Sequence, residues 1–137
     1  MKKLYFILLL AIISFNCQKE LSAPESLLPT IITSSTSSIT NTTALSGGNI
    51  TNDGGAAITA RGVCWASTPN PLVTGNHTTN GTGTGVFVSN ITGLTANTTY
   101  YVRAYATNSD GTAYGADSVF TTTSPTLVTP TVLTSAI

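Results

Sequence analysis

Residues 94–115 read Leu-Thr-Ala-Asn-Thr-Thr-Tyr-Tyr-Val-Arg-Ala-Tyr-Ala-Thr-Asn-Ser-Asp-Gly-Thr-Ala-Tyr-Gly, and no other stretch restricts the fold so tightly. Leu94, then Tyr100 six residues on, then strict alternation describe a tyrosine corner feeding a core strand of a two-sheet β-sandwich. Successive strand side chains alternate faces, so Tyr100, Val102, Ala104 and Ala106 are expected to point inward and Tyr101, Arg103, Tyr105 and Thr107 outward. A buried Tyr100 whose hydroxyl bridges back to the corner backbone would pin the strand's first residue.

The rest of the chain repeats this texture. Short alternating runs separated by turn residues recur about every ten residues, the signature of an all-β sandwich. Strands are expected near residues 30–34, 44–50, 58–66, 85–91, 99–108 and 113–123, with a weaker one near 72–77. Asn52-Asp53-Gly54-Gly55 and Asn108-Ser109-Asp110-Gly111 supply the positive φ angles that tight turns need. In the run 58–66, period alone leaves open whether Cys64 or Trp65 faces the core, and a bulge at Gly62 would bring both inward.

The corner Leu94-Thr95-Ala96-Asn97-Thr98-Thr99-Tyr100 resembles that of fibronectin type III domains, usually Leu-x-Pro-x-Thr-x-Tyr, with Ala96 in place of the proline. The runs at 52–65 and 81–87 are similar to the variant of that family common in bacterial surface proteins. The resemblance covers about residues 29–123 and implies a seven-stranded immunoglobulin-like β-sandwich. It also implies a binding or spacing unit. An Arg-Gly-Asp site between the last two strands, known in some members, does not carry over, because the turn reads Asn108-Ser109-Asp110-Gly111-Thr112.

The first residues are of another kind. Lys2 and Lys3 precede an apolar run at 4–13 and then Ser14-Phe15-Asn16-Cys17, which together read as a secretory signal. The run is ten residues long where a spanning helix needs about 20. The end of the signal resembles a bacterial lipobox, which implies acylation of Cys17 and cleavage just before it. The expected layout is a signal peptide at 1–16, a Pro-containing tether at 17–28, the sandwich at 29–123, and a linker with the start of a second repeat at 124–137. The expected location is the cell envelope, lipid-anchored, in the outer membrane of a Gram-negative bacterium.

Chemistry is sparse. Charged residues make up 7% of the chain, against roughly a quarter in ordinary soluble domains. After cleavage Lys19, Arg61 and Arg103 face five acids, so no basic patch exists for nucleic acid and no nucleic-acid partner is expected. His77 is the single histidine, and neither a nucleophile with its base nor four zinc ligands can be assembled, so no catalytic residue, metal or cofactor is expected. Asp53 and Asp110 are isolated acids in turns, without the convergence calcium requires. Tyr101, Arg103 and Tyr105, on the outward face, are the candidates for contacting surface glycans or proteins.

Finally, Pro130-Thr131-Val132-Leu133-Thr134-Ser135 repeats Pro29-Thr30-Ile31-Ile32-Thr33-Ser34 in type at every position, 101 residues later. This fits either the opening piece of a longer tandem array or a remnant left by domain loss, the first being the expectation. The expected function is a non-enzymatic, lipid-anchored surface module for adhesion or architecture, monomeric and attached to the membrane by its lipid. The alternative is an accessory spacer of a larger surface enzyme, such as a polysaccharide-degrading one.

Overall fold

Eight ladder segments follow one another without a helix in the structure, a computed structural model that describes residues 27–127. They are β1 (Thr30–Thr33), β2 (Ala44–Asn52), β3 (Ala60–Ala66), β4 (Asn76–His77), β5 (Gly85–Ile91), β6 (Thr99–Asn108), β7 (Gly111–Tyr114) and β8 (Ser118–Thr121). One sheet has the order β1-β2-β5; the other has β4-β3-β6-β7, with β8 also on β6, and every pairing is antiparallel. β7 and β8 lie along the same side of β6 and are two halves of one edge strand, so the molecule is the expected seven-stranded sandwich of fibronectin type III topology. Cys17, the leader, the tether up to Ser26 and the strand-like tail at Pro130–Ser135 lie outside the described residues.

The core sits between the sheets. Ile50, Val63, Phe87, Ile91, Val102, Ala104 and Phe120 meet there, each large side chain contributing about 1.5–3 kcal/mol by leaving water. The pairings Val63↔Ala104 and Trp65↔Val102 place Val63 and Trp65 on the inner face. Register therefore decides what period could not. Trp65 packs partly buried against the core, Cys64 points to the opposite face, and β3 runs in unbroken register with no bulge at Gly62.

The corner forms around a half-buried Tyr100, not the fully enclosed ring the alternation suggests. Its ring stacks on Phe120, directly opposite in the ladder, with centroids 5.8 Å apart. Its hydroxyl accepts the Thr95 N–H at 3.1 Å, and Thr95 is exposed. Leu94 is buried beneath. Since that N–H can turn to water, Tyr100→Phe is expected to cost about 0.5–1.5 kcal/mol, the net worth of one hydrogen bond. Urea titration of the two proteins measures it; a loss above 3 kcal/mol would mean the hydroxyl does more than this.

The expected last strand is interrupted at residues 115–117, and β1 fills the break. Thr33 Oγ1 accepts the Ala104 N–H at 3.0 Å, the group a continuous edge strand would have paired. The expected strand at 72–77 shrinks to Asn76–His77, because residues 67–75 rise over the sheet instead of extending it.

Candidate functional site

The outward face of β3 and β6 is where sequence placed the candidate binding side chains, and the structure roofs most of it. The excursion between β3 and β4 folds back over this face, led by the buried Pro71. Arg103 Nε donates to the Pro71 carbonyl at 2.6 Å, and its guanidinium lies 4.2 Å from the Tyr114 ring centroid. Tyr105 is 2% exposed and donates its hydroxyl to the Thr78 carbonyl at 2.8 Å, with the His77 imidazole nearly perpendicular to its ring at 6.1 Å between centroids. Tyr105 is thus corrected from an outward binding residue to a buried one, and Arg103 is committed to the roof. Of the three candidates, Tyr101 alone has no side-chain partner among the described residues; it stands half-buried beside Ala66 and the exposed Val119.

Cys64 lies beneath the same roof, fully enclosed, its thiol donating to the Pro71 carbonyl at 3.3 Å. Burial pushes the thiol pKa up, with Arg103 pulling it partly back and Asp117 adding to the rise. Asp117 accepts the Asn70 N–H at 2.7 Å through Oδ2, while its Oδ1 is buried without a partner among the described residues. A raised thiol pKa means the unfolded chain releases this proton first. Stability is therefore whole below the ordinary thiol range and falls as pH rises through about 8.5 and beyond. Unfolding free energies measured from pH 7.5 to 9.5 should decline in the parent and decline less in Cys64→Ala; parallel curves would show that the thiol titrates freely.

The flank between the two sheets is closed by side chains. Asn80 Nδ2 donates to the Val88 carbonyl of β5 at 2.9 Å, and its Oδ1 accepts from Thr78 Oγ1 and from the fully buried Ser89 hydroxyl. Arg61 reaches across the Gly-rich turn to the carbonyls of Asn80, Gly83 and Thr84 while lying over the Phe87 ring. At one pole Asn108 is buried and gathers three segments: Nδ2 donates to the Leu27 and Asp53 carbonyls, and Oδ1 accepts from the N–H groups of Asp110 and Gly111. Asp53 and Asp110 serve the turns: Asp53 Oδ1 accepts the Gly55 N–H, and Asp110 lends its own N–H to Asn108. No group of three or more His, Cys, Asp or Glu that could hold a metal occurs among the described residues.

A surface the sequence reading missed lies on the outer face of the three-stranded sheet. Ile32, Val86 and Val88 are 59%, 72% and 65% exposed, and Asn49 of β2 stands between Ile32 and Val86 in the ladder. The signal was present in Val86-Phe87-Val88, three apolar residues in a row where a half-buried strand should alternate.

No family model matches the sequence, and no curated protein does. Among solved structures, the sensor domain (short form) of the anti-sigma factor RsgI4 of Pseudobacteroides cellulosolvens superposes with a TM-score of 0.54 at 16% identity, covering 72% of this chain and 98% of that one. A human fibronectin type III domain, from the KIAA0970 protein, gives 0.49 at 17% identity over 82% of this chain and 88% of its own. At such identities the likeness concerns the fold, and the protein is a β-sandwich module.

Proposed function

We propose that this chain is a non-enzymatic module of a bacterial cell envelope, anchored by acyl chains on Cys17 and held off the membrane by residues 17–28. One observation supports this reading above the rest: Arg61, Arg103, Tyr105, Asn80 and Asn108, the side chains best equipped for chemistry, are each spent on closing the sandwich. A fold that invests its polar groups in its own flanks and pole suits a load-bearing spacer, or a platform that binds through flat surface. Tyr101 with Val119, and Ile32 with Val86 and Val88, are the surfaces such contacts would use. Several acyl chains together, at about 0.8 kcal/mol per buried methylene, give an attachment that does not readily reverse.

Growth with labelled fatty acid tests the anchor. The parent should carry label and pellet with the outer membrane, while Cys17→Ser should carry none and remain unprocessed. An unlabelled parent would overturn the anchoring. Calorimetry with calcium and zinc, and incubation with glycan and matrix-protein arrays, test the rest: no metal heat is expected, and any array binding should fall on changing Tyr101 or Val86. Micromolar metal binding would overturn the reading as a module without a chemical site.

A further inference from the structure

An asparagine followed by glycine is chemically the least durable kind of asparagine. The glycine nitrogen carries no neighbouring Cβ to hinder its attack on the side-chain Cγ, and glycine's backbone freedom lets the five-membered ring close. Of the ten asparagines in the chain, one has this neighbour: Asn80, before Gly81.

Asn80 is also the residue whose carboxamide closes the flank between the sheets. Its Nδ2 donates to the Val88 carbonyl of β5 at 2.9 Å, and its Oδ1 accepts from Thr78 Oγ1 at 2.9 Å and from the fully buried Ser89 hydroxyl. Thr78 Oγ1 is held in turn by the Val63 N–H at 3.0 Å. The backbone is clamped too, with the Asn80 N–H on the Arg61 carbonyl at 2.7 Å and the Arg61 N–H on the Gly81 carbonyl at 3.2 Å. Gly81 itself is open. It is exposed, with φ of 80° and nothing within 4 Å of the place a Cβ would take, and its N–H meets no acceptor among the described residues. The nucleophile of a labile pair is thus free, while its electrophile is held.

We propose that Asn80-Gly81 is a latent deamidation site, protected while the flank is closed and converted by water when it opens. The Gly81 nitrogen loses its proton and bonds to Asn80 Cγ; the Cγ–Nδ2 bond breaks, and Nδ2 leaves with that proton as ammonia. Water then opens the imide. Opening at Cγ leaves aspartate, and opening at the main-chain carbonyl carbon leaves isoaspartate, with the chain running through Cβ. The two hydroxyls on Oδ1 would ease negative charge onto that oxygen, so the protection lies in the fixed amide plane and in the Nδ2 bond to Val88, both of which must be given up for ring closure. Neither product restores the flank, because a carboxylate has no N–H for the Val88 carbonyl and sets oxygen against oxygen. A transient opening is thereby made permanent, and the Val88 carbonyl becomes an unpaired group on the β5 edge.

Incubation at mildly alkaline pH, followed by digestion and mass spectrometry, tests this on the full chain. The peptide holding Asn80 should gain one mass unit, and it should do so at least about tenfold more slowly in the folded protein than in the same protein in urea, since only the opened fraction reacts. Ser89→Ala, which removes one bond to the carboxamide, should speed conversion of the folded protein several-fold, whereas Tyr100→Phe, which removes a hydrogen bond at the corner, should leave it unchanged. Asn80→Asp, the first product made directly, should melt roughly 5 °C or more below the parent. The comparison of folded with unfolded parent, and the melting of Asn80→Asp, need no folded Ser89→Ala. A folded rate equal to or above that in urea, earlier loss at another asparagine, equal rates in Ser89→Ala and Tyr100→Phe, or an Asn80→Asp chain as stable as the parent would each overturn the proposal.

Discussion

Asn108→Ala should cost about 3 kcal/mol and lower the melting temperature by roughly 15 °C, a large share of the few kcal/mol that hold a domain of this size. The side chain is 4% exposed and fully used, with two donated and two accepted hydrogen bonds. Alanine leaves the carbonyls of Leu27 and Asp53 and two turn N–H groups without their partner at once. Each segment so released is a connection: the lead-in to β1, the turn from β2 to β3, and the turn from β6 to β7. Gly54, with φ of 76° and the Leu27 carbonyl in the place its Cβ would need, shows how tightly the first two are pressed together. Asn108→Asp separates the two halves of the role: it keeps the acceptor and aims a carboxylate at two carbonyl oxygens. It should be at least as damaging as alanine in urea titrations at pH 7. A cost below 1 kcal/mol for either variant would mean water replaces the amide readily and the pole is not sealed.

The strands were legible where small or apolar side chains repeat every second residue toward the core. β5 and β6 fall at the expected 85–91 and 99–108, because Phe87, Ser89 and Ile91, and Val102, Ala104 and Ala106, repeat every second residue. The turns were legible because Asn, Asp and Gly carry their own local reason, as in the Asn52 and Asp53 side chains that accept the N–H groups of Gly54 and Gly55. The candidate surface was not legible, since what buries Tyr105 is an irregular segment with no period of its own. Alternation assigns a face; it does not say whether another part of the chain will lie upon it. The broken edge strand was hidden for a related reason. A side chain 71 residues away, Thr33, supplies what the missing backbone would have supplied at Ala104.

These closures share a physical logic. A sandwich leaves its edge strands with unpaired backbone groups that invite pairing with other chains. Here Asn80 takes the Val88 carbonyl on one flank and Thr33 takes the Ala104 N–H on the other. With so few charges available to discourage edge pairing, neutral amides and hydroxyls do the capping. The same economy commits Asn80, Asn108, Arg61 and Arg103 to the fold itself.

Gly62→Val should open the roof, and Cys64 reports the opening. A Cβ at residue 62 would overlap the backbone carbonyl of Thr78 and press the Tyr105 ring, so residue 78 has to move. With it go the Thr78 N–H on the Val63 carbonyl, the Val63 N–H on Thr78 Oγ1 and the Tyr105 hydroxyl on the Thr78 carbonyl. Overpacking of this kind costs about 1–3 kcal/mol, and it falls first on the roof, which these bonds hold to the sheet together with Arg103, Cys64, Tyr114, Asp117 and the short β3–β4 pairing. A local cost near 2.5 kcal/mol multiplies the open population roughly 70-fold. In a Cys17→Ser background Cys64 is the one thiol, and its rate of modification by a disulfide reagent below the melting range should rise by that factor. Asn108→Ala is the control, because it weakens the pole through which the lead-in passes and leaves the roof bonds in place. If Cys64 is exposed by local opening, its rate in Asn108→Ala should stay close to that of the parent. Equal acceleration in both variants would mean the thiol is reached only by unfolding of the whole sandwich, and that the roof is part of the core's cooperative unit.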